Sequence, residues 1–237
     1  MAWQENPQGY AAAGAVGAID EGLRRHMLRV YNYMAGGLVL TGLVAYAVAN
    51  TPAFFDAIFG TPLMWVVMLA PLGFVFALSF GIHRFQYSTA QILFWAFAAV
   101  MGLSLASIFV VFTGESIARV FFISAGTFAA MSLYGYTTKR DLTQLGAFLF
   151  MGLIGVILAS LVNLFLQSTM LHFAVSVIGV LVFVGLTAHD TQRIKWLYSE
   201  VDPGEVAGKK ALMGALSLYL DFINLFILLL QLFGQRR

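Results

Sequence analysis

Seven runs of predominantly apolar residues, each about 20 long, constrain this chain more than anything else in it. They fall at roughly 30–49, 63–82, 89–112, 117–137, 144–166, 171–189 and 211–233. In hydrocarbon every backbone N–H and C=O must find its partner within the protein, so apolar runs of this length are helices. The expected fold class is all-α: a polytopic membrane protein whose seven-transmembrane-helix bundle spans residues 30–237. Composition agrees. The chain is 60% hydrophobic and 10% charged, whereas soluble domains carry about 25% charged residues. Its 23 glycines and 22 phenylalanines suit helices that approach closely in lipid. The absence of cysteine removes disulfides, thiolate metal sites and thiol nucleophiles.

Residues 1–29 read as a partly disordered cytosolic tail without a cleavable signal, since the apolar piece YAAAGAVGAI is short and follows no basic stretch. The tail leads into GLRRHMLRVYNYM, where Arg24, Arg25 and Arg29 suit the start of an interfacial helix. Orientation follows from the placement of Lys and Arg. With seven spans, Arg84, Lys139, Arg140, Arg193, Lys195, Lys209 and Lys210 join the tail arginines on one side. The opposite connections carry Asp56 and Glu115, with Arg119 just inside the fourth span. A cytosolic N-terminus is therefore expected. Arg236 and Arg237 on the far side run against the bias and leave open a last helix that re-enters instead of crossing.

Connections are expected to be short except for residues 190–210, whose strong turn signal is Pro203-Gly204. Ala98, Gly102 and Ala106 on the third span, and Ala125 and Ala129 on the fourth, form small-residue stripes expected at helix contacts. Pro71 predicts a kink in the second span.

The last apolar run, GALSLYLDFINLFILLLQLFG, contains a carboxylate, Asp221, near its middle. An ionised Asp at a helix centre costs about 2.5 to 3.5 kcal/mol to insert. An ionisable group at that depth points to an ion path, a proton relay or a partner charge. At helical spacing Gly214, Ser217, Asp221, Asn224 and Gln231 share one arc. Ser217 and Asn224 would equally suit a polar stripe that only joins helices; the Asp argues for more. A second acid, Asp190, stands in GLTAHDTQRIKW where the sixth run meets its cytosolic flank. Spacing alone favours an ordinary contact between Asp190 and Arg193, one turn on. His189 has no companion at ligand spacing, so no transition-metal site is expected.

TAHDTQRIK, SLYLDFINLFILLLQLFG and FFISAGTFAAMSLYGYTTKRDLTQLGAFLFMGLIG resemble the bacterial branch of the Bax-inhibitor family of seven-helix membrane proteins. The resemblance runs from about residue 30 to the end. It implies a compact bundle with the last helix central and a pH-sensitive calcium leak through a cytosol-facing pore in the bacterial inner membrane. The family's paired aspartates fall on Asp190 and Asp221, as pH sensor and weak, transient calcium ligands. A basic latch that holds the first of them in the closed form falls on Arg84, in GIHRFQYSTAQ. Calcium is then a permeant ion, with no permanently bound cofactor, and membrane lipid is the constant partner.

Physical chemistry sets terms for that implication. Asp221 lies about ten residues, roughly 15 Å, into its run, while Asp190 lies at the end of its own. They meet only if the cytosolic half of the bundle opens into a wet vestibule or the helices are tilted or offset. Two carboxylates in contact cannot both ionise cheaply, so the titration belongs to the pair. Doubly ionised, they offer hard oxygens of the kind calcium takes six to eight at a time. Two other functions compete. Intramembrane aspartyl proteases also use two acids on late helices, but here the acids sit in TAHD and LYLD, outside a GxGD context, and no Pro follows Pro203; an enzyme is not expected. The other is a membrane regulator that binds a protease or stress-response partners. Nothing in the chain points to nucleic acid. Arg84 itself has a plainer reading, an anchor snorkelling to the interface.

Overall fold

The computed structural model describes the backbone of residues 7–237 and the side chains of residues 21–237. Nine helices are present among the described residues: α1 Pro7–Ala49, α2 Pro52–Phe59, α3 Leu63–Gly81, α4 Tyr87–Leu105, α5 Ile108–Val111, α6 Gly114–Thr137, α7 Thr143–Leu166, α8 Thr169–Leu197 and α9 Gly204–Phe233. Seven segments are long and apolar enough to cross a bilayer, with α4 and α5 together making one and α1 contributing from Glu21. They coincide with the seven apolar runs, and the chain is an all-α, multi-pass membrane protein. Of the expected tail, residues 1–6 lie outside the described residues, and from Pro7 the backbone is helical and continuous with the first span.

The short α2 links the first two spans. Pro52 starts it, where a missing N–H costs nothing, and its Ile58 packs with Val48, Val67 and Ala106 as a small separate cluster at that end of the bundle. Pro71 is buried within α3, and the helix continues past it.

The long connection expected at 190–210 is instead mostly helix. The polar residues after Asp190 keep the helical period: Thr191, Gln192 and Ile194 are buried while Arg193 and Trp196 face out. Hydropathy marks where the apolar run stops, not where the helix does. Lys195 in the last turn of α8 complements the negative end of the helix dipole, and only residues 198–203 remain as connection. The turn falls where Pro203-Gly204 places it, with Pro203 capping α9.

Helix α9 crosses the bundle and does not re-enter. After Phe233 the chain pairs with the α5–α6 connection: Phe112 and Arg236 form an antiparallel bridge, Thr113 N–H donates to Gln235 O at 3.0 Å, and Arg237 N–H donates to Val111 O at 3.0 Å. That connection is at the end of the bundle opposite residues 198–203. Two thirds (67%) of the apolar stretch of α9 is buried, against 11% to 33% for the other six spans. It packs against α1, α4, α6 and α8, with Leu212, Leu216, Leu218, Tyr219, Leu225 and Leu230 all but fully enclosed.

One small-residue stripe sits as expected. Ala98, Gly102 and Ala106 are buried and let α4 lie close on α1, where Thr41 Oγ1 donates to Ala98 O at 2.8 Å and shares a 2.6 Å hydrogen bond with the Tyr219 hydroxyl. The other does so only in part. Ala125 is half-buried against the core, but Ala129 is exposed, and the fully buried face of α6 is Ser116, Val120, Ser124, Phe128, Ser132 and Gly135. Phe128 supplies far more apolar area than an alanine, and the flanking serines meet hydroxyl partners or their own backbone there.

Candidate acid site

Asp221 is buried, 5% exposed, on the inward face of α9. Of the described residues, only Asp221 and His26 have a buried side-chain atom without a hydrogen-bond partner: Oδ2 and Nε2, respectively. Burying an oxygen without a partner carries its full desolvation cost. Two other polar residues of the arc are hydrogen-bonded. Asn224 Nδ2 donates to Leu220 O at 2.8 Å, and Gln231 Oε1 accepts from Ser176 Oγ at 3.1 Å. Asp221 Oδ2 has no such partner.

Asp190 lines a cavity of about 440 Å³ with His83 beyond α3, Arg193 and Ile194 on α8, and Lys209 and Ser217 on α9. Ser217 lies one turn from Asp221 on the same arc, so the cavity leads from the basic side of the bundle toward the buried acid. The apparent difference in depth between Asp190 and Asp221 shrinks because of the register of the antiparallel pair: Gly214 packs against Ile194 and Gly179 against Leu228, which brings Asp221 level with Thr187, one turn along α8 from Asp190.

The Asp190 carboxylate has 18% side-chain exposure, and its Oδ1 lies 2.9 Å from His189 Nδ1. The expected contact with Arg193 is not made: Arg193 is exposed and lines the same cavity, but the carboxylate is paired with His189 instead. Nor does Arg84 reach Asp190. Arg84 sits in the tight turn after α3, where its N–H donates to Gly81 O at 2.8 Å. That turn sends its side chain outward, exposed, while the adjacent His83 lines the cavity. In this conformation the pair read as a latch is apart. Two of the lysines at this side are engaged locally: Lys209 with Glu205 at 2.9 Å and Lys210 with Asp202 at 2.6 Å.

Several residues that position Asp190 escape a search for charges. Gln192, 2% exposed, clamps the α6–α7 connection: its Oε1 accepts from Leu142 N–H at 2.8 Å and its Nε2 donates to Arg140 O at 2.7 Å. Thr191 Oγ1 lies 3.0 Å from Ser132 Oγ, which lies 2.6 Å from the Tyr31 hydroxyl, tying α8 to α6 and α1. Gly135 lets α6 approach so closely that a Cβ there would collide with the carbonyl oxygen of Ala188, and a Cβ at Gly146 would collide with the His189 ring. Helical spacing puts Ser124, Phe128 and Ser132 on one face of α6 and Thr187 and Thr191 on one face of α8, but spacing alone does not say that those faces are buried. Among the described residues no three His, Cys, Asp or Glu side chains converge to hold a metal. An ion passing the two acids would take its remaining oxygens from carbonyls or water.

A family model described as inhibitor of apoptosis-promoting Bax1 matches residues 23–237. The chain is 52% identical to uncharacterized protein RP147 of Rickettsia prowazekii, over 92% of each chain. It is 48% identical to inner membrane protein YbhL of Escherichia coli, over 91% of this chain and 94% of that one. An uncharacterized membrane protein of Streptococcus pyogenes, SpyM3_0260, is 38% identical over 91% of this chain and 95% of its own length.

Proposed function

Because the chain belongs to the Bax-inhibitor family of membrane proteins, we propose that it is a pH-sensitive calcium leak channel of the bacterial cytoplasmic membrane, sensed by Asp190 and Asp221. The observation that carries this reading is the unpartnered carboxylate oxygen of Asp221, buried in a span one turn from Ser217, which lines the same cavity as Asp190. A structural polar group at that depth would be hydrogen-bonded, as Asn224 is.

Two acids in one poorly hydrated place favour sharing a single proton. Losing that proton leaves two negative charges that only water or a cation can offset. The cavity beside Asp190 is where both would enter, and Ser217 lines the step toward Asp221. Proton occupancy and ion access are thereby coupled. His189 holds the Asp190 carboxylate from the α8 side. Arg84 has no part in the mechanism in this conformation, and no enzymatic step is assigned to the acids.

The test is calcium influx into liposomes containing the purified full chain, followed from mildly acidic to mildly alkaline pH. Wild type should show pH-dependent influx above that of protein-free liposomes. Asp190→Asn and Asp221→Asn should each flatten the profile while unfolding at a temperature close to wild type. Two variants that keep the wild-type profile would remove the acids as sensor, and no influx at any pH would remove the channel.

A further inference from the structure

Helix α1 packs chiefly against α4 and α9, and α6 against α8 and α9. Between α1 and α6 runs a cleft. On the Arg-rich side it encloses about 650 Å³, walled by Leu28, Met34 and Leu38 of α1 and by Phe128, Ala129 and Leu133 of α6. A second recess of about 290 Å³ continues past Leu38 toward the far side, reaching Ile117 and Phe121. Both helices are membrane spans at these positions, so the cleft faces hydrocarbon. Apolar space of this size, within the ~300–1,000 Å³ typical of ligand sites, forfeits dispersion contacts along its whole lining if nothing fills it.

The two halves differ in charge. The larger half ends at Arg24, exposed in the first turns of the α1 span, and at Tyr136. Lys195 Nζ stands 5.1 Å from the centre of the Tyr136 ring and donates to its carbonyl, placing a second positive charge at the same level. The far half has no charged side chain in its wall. The polar groups inside the larger half are matched to each other, Tyr31 to Ser132 at 2.6 Å, so its wall asks for nothing polar from an occupant. A guanidinium at interfacial depth above an apolar groove matches one chemistry available in a bilayer: a phosphate with an acyl chain beneath it.

We propose that an anionic phospholipid, from the leaflet on the Arg-rich side, lodges one acyl chain in the cleft between α1 and α6 with its phosphate on Arg24. This site is separate from the acids and does not depend on the calcium reading. The test reconstitutes the full chain in phosphatidylcholine vesicles doped with phosphatidylglycerol carrying a photoactivatable group in its acyl chain. Adducts are mapped by peptide mass spectrometry, and a phosphatidylcholine probe runs in parallel. Adducts should concentrate on residues 28–38 and 128–133. Arg24→Gln should lower phosphatidylglycerol labelling there by about tenfold, the scale of one lost charge-assisted bond, and lower phosphatidylcholine labelling less, because its choline offsets the charge of its phosphate. Ala129→Trp, which fills the groove, should reduce both to the level seen on the exposed face of α7; Leu133→Trp serves the same purpose should the first variant not fold. Labelling spread evenly over all lipid-facing helices, or unaffected by filling the groove, would overturn the site. Equal labelling by both probes, indifferent to Arg24→Gln, would overturn the headgroup assignment.

Discussion

The buried carboxyl of Asp221 and the clamp of Gln192 show how differently polar side chains serve this protein. Gln192 spends both ends of its amide on the α6–α7 connection. Gln192→Ala should therefore lower stability by about 1–3 kcal/mol, the cost of leaving buried backbone groups unmatched, read as a lower melting temperature in detergent. On that same connection Asp141 Oδ1 accepts from Thr143 N–H at 2.8 Å. The hydrogen bonds from Thr143 hold the Asp141 carboxyl below its ordinary range. A carboxyl depressed on folding contributes stability above its unfolded value, about 3.9, and loses it as pH falls through the folded one. Wild type and Asp141→Asn should thus differ in melting temperature at neutral pH and converge in strong acid. Arg84→Ala should leave calcium influx at neutral pH as in wild type, because the guanidinium stands in solvent; a faster leak would restore the latch. Asp190, at the flank of its run, was singled out only by the family resemblance, whereas Asp221 could be read from the sequence because a charge in an apolar run stands out. Gln192, Thr191 and Ser132 could not, since nothing in their identity separates a buried clamp from an exposed polar flank. His83 and Arg84 are neighbours, and only the geometry of the turn decides which of them faces Asp190.

Helix contacts in this bundle turn on how near two backbones come. Gly135 faces the Ala188 carbonyl with no room for a Cβ, while Gly126 on the same helix faces open space. Gly135→Ala should destabilise by about 1–3 kcal/mol, the usual range for overpacking, and Gly126→Ala should be neutral or slightly stabilising through helix propensity. Gly214 is intermediate: a Cβ would stand 3.1 Å from the Ile194 side chain, which can give way, so Gly214→Ala should fold. Thermal unfolding of the three variants orders them. The existence of every span was legible because lipid forces apolar length into helix. Their ends were less so. Helix α8 runs past its apolar run on buried Thr191, Gln192 and Ile194, a pattern that hydropathy averages away. The inward face of α6 was partly misread because small residues mark a contact only when no larger apolar side chain points the same way, and Phe128 does.

Across the whole molecule, ten of the 13 Lys and Arg lie at one end, with the connection at 198–203, while Arg119, Arg236 and Arg237 lie toward the other, where the chain after Phe233 pairs with the α5–α6 connection. The charge bias predicts that the first end is cytosolic. Single cysteines placed at Lys139, Lys209 and Asp56, in a chain that has none of its own, should show the first two protected from an impermeant reagent in intact cells and the third labelled; the opposite pattern would invert the orientation. Seven crossings and their order follow from the sequence, because each apolar run must span. Which helix is most enclosed does not follow from hydropathy: α7, with the most apolar stretch, is the least buried at 11%, while α9 is the most buried at 67%. Greasiness reports affinity for lipid, and burial depends on neighbours. The enclosure of α9 also bears on biogenesis. The hydrogen bond of Thr41 to Tyr219 joins positions 178 residues apart, so α1 waits through the synthesis of five further spans before its inner partner arrives. During translation the earlier helices must stand inserted around a gap that lipid fills for the time being. Full packing of α1 is therefore expected only once α9 is in place. An interruption of synthesis before α9 would leave a chain that is correctly threaded and not yet folded, a natural substrate for membrane quality control.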